Sequence, residues 1–266
     1  MHVITLLSDL GTTDTNVSAI KCILSGTSGS TNIVDISHDM RFRHLPRAAY
    51  VASSAYRHFP ENSIHIIFFN SFSAPNLNLL LTKFYNQYIL APDNGIIPLI
   101  TGNALSRCWL CKNFDTPPKS REWALAAKEI TDQILNGSDP SAFLEEVLPQ
   151  PPDAVPIPIL FSNRLDCEIL HTDRYSNIVL NITEDLFKTL VGDRKFSIKL
   201  IGARESIESI SNHYTEVEEG RHLCRFNSNG YLEIAVNRSP AIPEEQARMP
   251  HGPIDYKRVS ISILPA

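Results

Sequence analysis

The sequence has no apolar run of the ~18 residues that a membrane-spanning helix needs. It also has little positive charge, because 24 Lys and Arg stand against 29 Asp and Glu and give a net charge of −5. A nucleic-acid-binding surface usually needs clustered basic residues. No basic stretch followed by an apolar one opens the chain, so an export signal is not predicted. We therefore expect a cytoplasmic protein that binds neither membranes nor nucleic acid.

Cysteine is scarce and glycine-rich phosphate loops are missing. There are five cysteines, and Cys108 and Cys111 form the only close pair. A zinc site would need a second such pair, and a redox pair should open a helix, whereas the residues around this pair alternate as in a strand. We interpret these cysteines as ordinary half-buried residues and predict no metal site. Neither a Gly-x-Gly-x-x-Gly motif nor a Walker loop is present, so phosphate binding is not predicted.

The composition supports a sizeable core, since 43% of the 266 residues are hydrophobic. Strand-like and helix-like segments alternate over residues 1–150, which predicts an α/β domain with a mostly parallel sheet. Residues 145–160 are rich in proline and are predicted to be a linker. Short strands with turn signals follow over residues 157–266 and predict a small antiparallel domain, a β-barrel.

The first predicted strand delivers a carboxylate directly into a small polar loop. Asp9 follows the apolar run, and Gly11 and Asp14 come shortly after it. In an open parallel sheet, ligands bind beyond the carboxyl ends of the strands. Asp9 and Asp14 are either turn and cap residues or part of a binding site. In a binding site, the two acceptor oxygens of Asp9 would suit a vicinal diol such as that of a ribose.

Two turns in the second half have a similar polar character. Asp173, Tyr175 and Asn177 surround the first turn. An Asn side chain offers a donor and an acceptor that match the edge of an adenine, and a neighbouring aromatic ring can stack on the base. Ser228 and Asn229 form the second turn, where a hydroxyl and backbone N–H groups can hold a carboxylate. Ordinary hairpins would explain both turns equally well.

Six stretches of the chain together resemble one family. They are, in order, LLSDLGTTDTNVSAIKCIL, NIVDISHDM, AAY, APDNG, HTDRYSNIVLNI and SNGYLEIAVN. The chain resembles the S-adenosylmethionine-cleaving adenosyltransferases, which include the SAM hydroxide adenosyltransferases (SAM hydrolases), the fluorinase and the chlorinase. The resemblance covers nearly the whole chain.

The resemblance implies an N-terminal α/β domain, a C-terminal β-barrel and a homotrimer. Each active site would lie between the N-terminal domain of one subunit and the C-terminal domain of its neighbour. The implied reaction is in-line attack on the ribose 5′ carbon of S-adenosylmethionine, which expels methionine. Neither a metal nor another cofactor is implied, because the leaving group is already a sulfonium.

The resemblance also implies roles for individual residues. In the first domain, Asp9 would bind the ribose diol, and Asp14 lies in the same loop. The residues implied for the rest of the ligand are Asp173 for the methionine ammonium, Asn177 for the adenine edge, Tyr214 for adenine stacking, and Ser228 with Asn229 for the methionine carboxylate. The fluorinase has arginine in place of Asn229, so a charged contact to the carboxylate is lost here.

The hydrolases of this family activate water with an Asp, an Arg and a His, and none of the three is found here. Asn70 stands in the position of the Asp, no arginine follows it, and Lys119 stands in the position of the His. We take Asn70 and Lys119, together with Ser120, as the candidate catalytic residues. Ser120 matches the halide-binding serine of the fluorinase, although it equally suits a helix cap. Arg43 and Asn70 stand where the fluorinase has aromatic residues that dehydrate fluoride.

Three interpretations remain. In the first, the protein cleaves S-adenosylmethionine with water, and Lys119, held in a buried site beside Arg121, acts as the base. In the second, a halide bound at Ser120 is the nucleophile. In the third, the protein binds S-adenosylmethionine or adenosine without cleaving it. We favour the first.

Overall fold

The computed structural model describes residues 2–40, 44–71, 77–102, 107–200, 205–237 and 258–264. The chain forms two compact units, residues 1–155 and 156–266. Arg43 lies outside the described residues. Among the helices that the model describes, none is both long and apolar enough to cross a membrane.

The first unit is a seven-stranded sheet with helices on both faces. Its strands are β1 (His2–Ser8), β2 (Thr31–Ser37), β3 (Ile64–Phe68), β4 (Leu77–Phe84), β5 (Gln87–Pro92), β6 (Cys108–Phe114) and β7 (Glu145–Val147). Its α-helices are α1 (Asn16–Ser25), α2 (Leu45–Tyr56), α3 (Ile96–Thr101) and α4 (Ser120–Leu135). Helices α1 and α4 pack on one face of the sheet, and α2 and α3 pack on the other.

The first sheet is mixed rather than mostly parallel, so this part of the prediction was wrong. The strand order is β2-β1-β3-β5-β4-β6-β7, and the neighbouring pairs that are parallel are β2 with β1, β1 with β3, and β3 with β5. The remaining pairs are antiparallel. The reversal begins at Tyr85 and Asn86, which join β4 to β5 with positive φ angles of 47° and 59°. A two-residue turn of this kind closes a hairpin, so no helical crossover separates these strands.

The second unit is a curled antiparallel sheet. Its strands are β8 (Ile159–Leu160), β9 (Arg164–Thr172), β10 (Ile178–Thr183), β11 (Phe196–Ile198), β12 (His222–Phe226), β13 (Tyr231–Val236) and β14 (Arg258–Ile263). The order is β11-β14-β9-β10-β13-β12, and β8 pairs with β9. Helix α5 (Glu184–Val191), which the sequence patterns did not predict, follows β10.

The edge strands of this second sheet do not form a ladder with each other in the described part of the chain. Instead, isolated bridges join Ile207 to Ile198 of β11 and Ile210 to Cys224 of β12. A short segment therefore contacts both edges. The sheet therefore curls as a barrel would.

The proline-rich segment does more than connect the units. Its first residues form β7, which extends the first sheet, and the N–H of Gln150 donates to Oδ1 of Asp93 at 2.7 Å. An ideal Cβ on Gly95 would lie only 2.5 Å from the Cα of Pro152. This part of the segment is thus fixed against the turn that follows β5.

Cys108 and Cys111 both lie on β6, and neither forms a disulfide bond. Burial raises the pKa of each thiol, with a smaller contribution at Cys108 from the nearby charge of Asp93. Across the described residues, no group of three or more His, Cys, Asp or Glu side chains is arranged to hold a metal ion.

One buried histidine predicts how stability depends on pH. His65 is fully buried on β3, stacks on the ring of Tyr56 at 3.7 Å between centroids, and has Nδ1 2.8 Å from Oγ1 of Thr5. Burial lowers its pKa from 6.5 to about 4. The unfolded chain therefore takes up a proton at a higher pH than the folded chain, and the folded state loses stability as the pH falls from 6.5 towards 4.

We expect His65→Gln to reduce this acid sensitivity. From the two pKa values, protonation of His65 should lower the free energy of unfolding by about 2 kcal/mol between pH 7 and pH 5. Urea unfolding at both pH values measures the difference, which should shrink by that amount in the variant. The exposed His58 provides the control, since His58→Gln should leave the difference unchanged. An equal pH dependence in wild type and His65→Gln would contradict the prediction.

Candidate functional site

Asp9 lies directly beyond the carboxyl end of β1, half-buried between neighbouring strand ends. Its N–H donates to the carbonyl oxygen of Phe68 at 3.2 Å, and its Oδ2 accepts the N–H of Asn70 at 2.9 Å. Burial raises the pKa of the Asp9 carboxyl, although the N–H of Asn70 favours the charged form. A partly desolvated carboxylate near the surface is well suited to bind a polar ligand.

The loop after Asp9 is fastened to the end of β2. Gly11 has a φ of +71°, which glycine adopts without strain, and its N–H donates to the carbonyl oxygen of His38 at 2.8 Å. The side chain of the same histidine contacts β1, with Nδ1 2.7 Å from Oγ of Ser8. The loop that carries Asp9 is thus held to β2 by both backbone and side chain.

The ends of β3 and β5 complete this edge of the sheet. Asn70 adopts a left-handed conformation with a φ of +52°, which turns its N–H towards Asp9. Nδ2 of Asn94, in the turn after β5, donates to the carbonyl oxygen of Phe69 at 3.0 Å. Hydrogen bonds therefore join the carboxyl ends of all four parallel strands around Asp9. The catalytic role expected for Asn70 stays a prediction, and the structure shows that its backbone N–H also holds Asp9.

A second polar cluster joins the N-terminal ends of α1 and α4. Asp14 accepts the N–H of Asn16 at 2.8 Å through Oδ1 and its Nδ2 at 2.9 Å through Oδ2. Oγ of Ser120, the first residue of α4, donates to Oδ1 of Asn16 at 3.4 Å. Asp14 and Ser120, both predicted site residues, are therefore linked through Asn16, which sequence reasoning missed.

Lys119 precedes α4 and is exposed in the single chain. Its N–H donates to Oε2 of Glu122 at 3.0 Å, which caps the helix. The burial that a catalytic lysine requires is not provided by the described residues of its own unit.

In the second unit, Asp173 organises the turn that joins β9 to β10. Its Oδ1 accepts the N–H groups of Tyr175 and Asn177 at 2.8 and 2.9 Å, and its Oδ2 accepts Nδ2 of Asn177 at 2.9 Å. Asn177 is buried, whereas the ring of Tyr175 is exposed. Asp173 therefore has the turn-forming role that the sequence left open. The same hydrogen bonds hold the side chains of Asp173 and Asn177 against each other.

Tyr214 belongs to a polar group on the same unit that also includes Glu233 and Arg225. Its hydroxyl donates to Oε1 of Glu233 at 2.8 Å, and the guanidinium carbon of Arg225 lies 4.7 Å from its ring centroid. Glu233 is only 8% exposed, and burial together with the charge of Asp173 raises its pKa against the opposing Tyr214 hydrogen bond. The hydrogen bond and the stacked guanidinium fix the plane of the half-exposed tyrosine ring.

Ser228 and Asn229 form the tip of the turn between β12 and β13. Oδ1 of Asn227 accepts the N–H groups of Asn229 and Tyr231 at 3.0 and 3.1 Å. Ser228 is exposed at this tip. Asn227, rather than either predicted residue, shapes the turn.

Sequence reasoning missed His38, Arg225 and Glu233 as well as Asn16. Two of them carried a usable signal. His38 follows a predicted strand in the way Asp9 does, and Glu233 is a single charge inside an otherwise apolar strand. Arg225 carried none, because arginine at a half-exposed strand position is ordinary.

Comparisons with known proteins cover both units. Residues 4–128 match the family model of the SAM hydroxide adenosyltransferase N-terminal domain, and residues 167–244 match the model of the C-terminal domain. A protein of Methanocaldococcus jannaschii named (R)-S-adenosyl-L-methionine hydrolase is 26% identical over 251 residues, which are 88% of each chain. A protein of Thermus thermophilus with the same name is 26% identical over 252 residues, 91% of this chain and 94% of its own.

Two solved structures share the fold. An uncharacterized conserved protein from Thermotoga maritima superposes with a TM-score of 0.75 at 20% identity, over 98% of this chain and 100% of its own. A conserved hypothetical protein from Thermus thermophilus superposes with a TM-score of 0.69 at 23% identity, over 99% of this chain and 100% of its own.

Proposed function

Because the chain belongs to the SAM hydroxide adenosyltransferase family, we propose that it transfers the adenosyl group of S-adenosylmethionine to water. The oxygen of water bonds to the ribose 5′ carbon while the bond from that carbon to sulfur breaks. The electron pair of the broken bond stays on sulfur, the water proton goes to solvent, and the products are adenosine and methionine. The observation that carries the proposal is the half-buried Asp9, at the meeting point of four parallel strand ends, in a chain whose two units match both domains of the family.

In this proposal Asp9 accepts hydrogen bonds from the two ribose hydroxyls. Its backbone neighbours already fix it through Phe68 and Asn70, so little conformational entropy is lost when the sugar binds. A carboxylate accepting from hydroxyls forms charge-assisted hydrogen bonds, which are stronger than neutral ones. The ribose would then present its 5′ carbon over the polar edge of the sheet.

The second unit would hold the other parts of the ligand. Tyr214 offers a ring of fixed orientation for the adenine, and the Asp173–Asn177 turn offers a carboxylate and an amide for the methionine ammonium and the adenine edge. Tyr175, Ser228 and Asn229 stand at exposed or half-exposed turn positions from which they can reach a ligand. We further propose that the second sheet closes as a barrel and that a homotrimer brings this surface to the Asp9 edge of a neighbouring subunit.

The reaction does not need a strong general base. A sulfonium leaves readily, so the protein mainly has to aim and desolvate the attacking water. Ser120 donates its hydroxyl proton to Asn16, which leaves its lone pairs to accept from a water molecule. Ser120, Lys119 and Asn70 are the groups that we propose act on the nucleophile.

Product analysis tests the proposed function. The purified protein is incubated with S-adenosylmethionine in water enriched in oxygen-18, with and without chloride. We expect equal amounts of adenosine and methionine, with the label in the 5′ hydroxyl of adenosine. Formation of a 5′-chloro-adenosine in the presence of chloride would show that halide, rather than water, is the nucleophile. If the substrate stays intact but binds measurably, the protein binds S-adenosylmethionine without cleaving it. If the substrate stays intact and does not bind, the proposal is overturned entirely.

A further inference from the structure

A chain of polar side chains runs from the partly exposed Lys21 and Asp35, on helix α1 and strand β2, to the buried His38 and Ser8 beside Asp9. Nζ of Lys21 lies 2.9 Å from Oδ2 of Asp35, and Oδ1 of Asp35 lies 3.2 Å from Nε2 of His38. Nδ1 of His38 in turn lies 2.7 Å from Oγ of Ser8, the residue before Asp9. Although partial burial opposes ionisation, the contacts with Lys21 and His38 lower the pKa of Asp35. Nδ1 of His38 is therefore hydrogen-bonded to Ser8, and Nε2 has an electrostatic contact with Asp35.

This chain of residues is not suited to nucleophilic catalysis, despite its Ser, His and Asp. Ser8 is 2% exposed and His38 is 6% exposed, so no substrate reaches the hydroxyl. The hydroxyl also receives the N–H of Leu10 at 3.4 Å. The contacts of Ser8 and His38 instead indicate a role in fixing the conformation of the loop that carries Asp9.

We propose that His38 is a positioning residue that sets where the Asp9 carboxylate stands relative to the ribose of the ligand. This inference rests on the proposed function. His38 holds the loop on both sides of Asp9, through its side chain to Ser8 and through its carbonyl oxygen to the N–H of Gly11. Without the side-chain contact, Ser8 is no longer held to the residue that follows β2. The loop then keeps only the backbone hydrogen bonds of Asp9 and Gly11 and the contact of the Asp9 carboxylate with the N–H of Asn70. A displacement of about 1 Å at such a site is enough to cost most of a directional interaction.

The test measures discrimination between adenosine and 2′-deoxyadenosine, which lacks one of the two hydroxyls. Isothermal titration of both nucleosides gives an affinity ratio that reports on the placement of the Asp9 carboxylate. His38→Ala should reduce the preference for adenosine by about 10-fold or more. His38→Asn should retain most of it, because the Asn amide can occupy the place of Nδ1 and contact Ser8.

A matched control separates positioning from general stability. His65 is also buried and also contacts a β1 hydroxyl through Nδ1, that of Thr5 at 2.8 Å, but it lies away from the Asp9 loop. His65→Ala should lower the melting temperature and leave the nucleoside preference unchanged. If His38→Ala does not fold, Ser8→Ala removes the other half of the same hydrogen bond and should reduce the preference likewise, while Ser8→Thr should keep it.

The outcomes distinguish this inference from the proposed function. A wild-type protein that binds neither nucleoside overturns the proposed function. A wild-type protein that prefers adenosine, with the same preference in folded His38→Ala or Ser8→Ala, overturns the positioning role and leaves the proposed function standing. An equal loss of preference in His65→Ala would also overturn it, because the effect would then follow stability alone.

Discussion

Replacing Asp9 with alanine is expected to reduce the affinity for adenosine about 100-fold or more and to stop S-adenosylmethionine cleavage. The expectation follows from two hydrogen bonds between ribose hydroxyls and a charged acceptor, each worth roughly 1.5–3 kcal/mol. The variant should still fold, because burial raises the pKa of the half-buried Asp9 carboxyl, so the ionised group carries a desolvation cost and contributes little to stability. Isothermal titration measures the affinity, and urea unfolding confirms that the variant is folded.

Two controls and a pH dependence make this prediction specific. The affinity for adenine, which has no ribose, should be the same in wild type and Asp9→Ala. Asp39→Ala removes an exposed carboxylate beside the same loop and should leave adenosine binding unchanged. Because only the ionised carboxylate binds the diol well, and burial raises the pKa of Asp9, wild-type affinity should fall in mildly acidic solution before an exposed aspartate would titrate. Equal adenosine affinity in wild type and Asp9→Ala would refute the diol assignment.

Replacing Gly95 with alanine is expected to lower the free energy of unfolding by roughly 2–5 kcal/mol. Gly95 has a φ of +88°, which is unfavourable for alanine, and its new Cβ would lie 2.5 Å from the Cα of Pro152. Backbone atoms cannot rotate aside as a side chain can. The contact of Gln150 with Asp93 also holds the proline segment in place, so the strain must spread into the turn after β5. Urea unfolding of both proteins measures the loss.

Gly137 supplies the matched control. It has a similar φ of +82°, but a Cβ there would meet no atom within 4 Å. Gly137→Ala should therefore lower the free energy of unfolding only by the cost of placing alanine at a positive φ, about 1–2 kcal/mol. If the two substitutions cost the same, the proline segment does not pack against Gly95 as the structure shows. Because Asn94 precedes Gly95 and supports the carbonyl of Phe69, Gly95→Ala should also weaken adenosine binding.

The family resemblance found in the sequence is confirmed by the match of both units to the family models. It depended on short stretches at strand ends and turns, where backbone geometry restricts which residues fit. Patterns of apolar residues likewise predicted β1, β2 and β3, and the continuous apolar run of β3 reflects its burial on both faces. Local patterns did not predict α5, and they could not reveal that the β4–β5 hairpin makes the first sheet mixed.

The sequence alone determined that Asp9 stands at the end of a buried strand, because the apolar run and the polar loop are adjacent in the chain. It also determined the division into an α/β half and a β half, because apolar periodicity is a local property. Only the tertiary structure decided which groups surround Asp9. His38, Asn70 and Asn94 come from three other strand ends, and hydrogen bonds between residues this far apart in sequence form only when the sheet order brings those ends together.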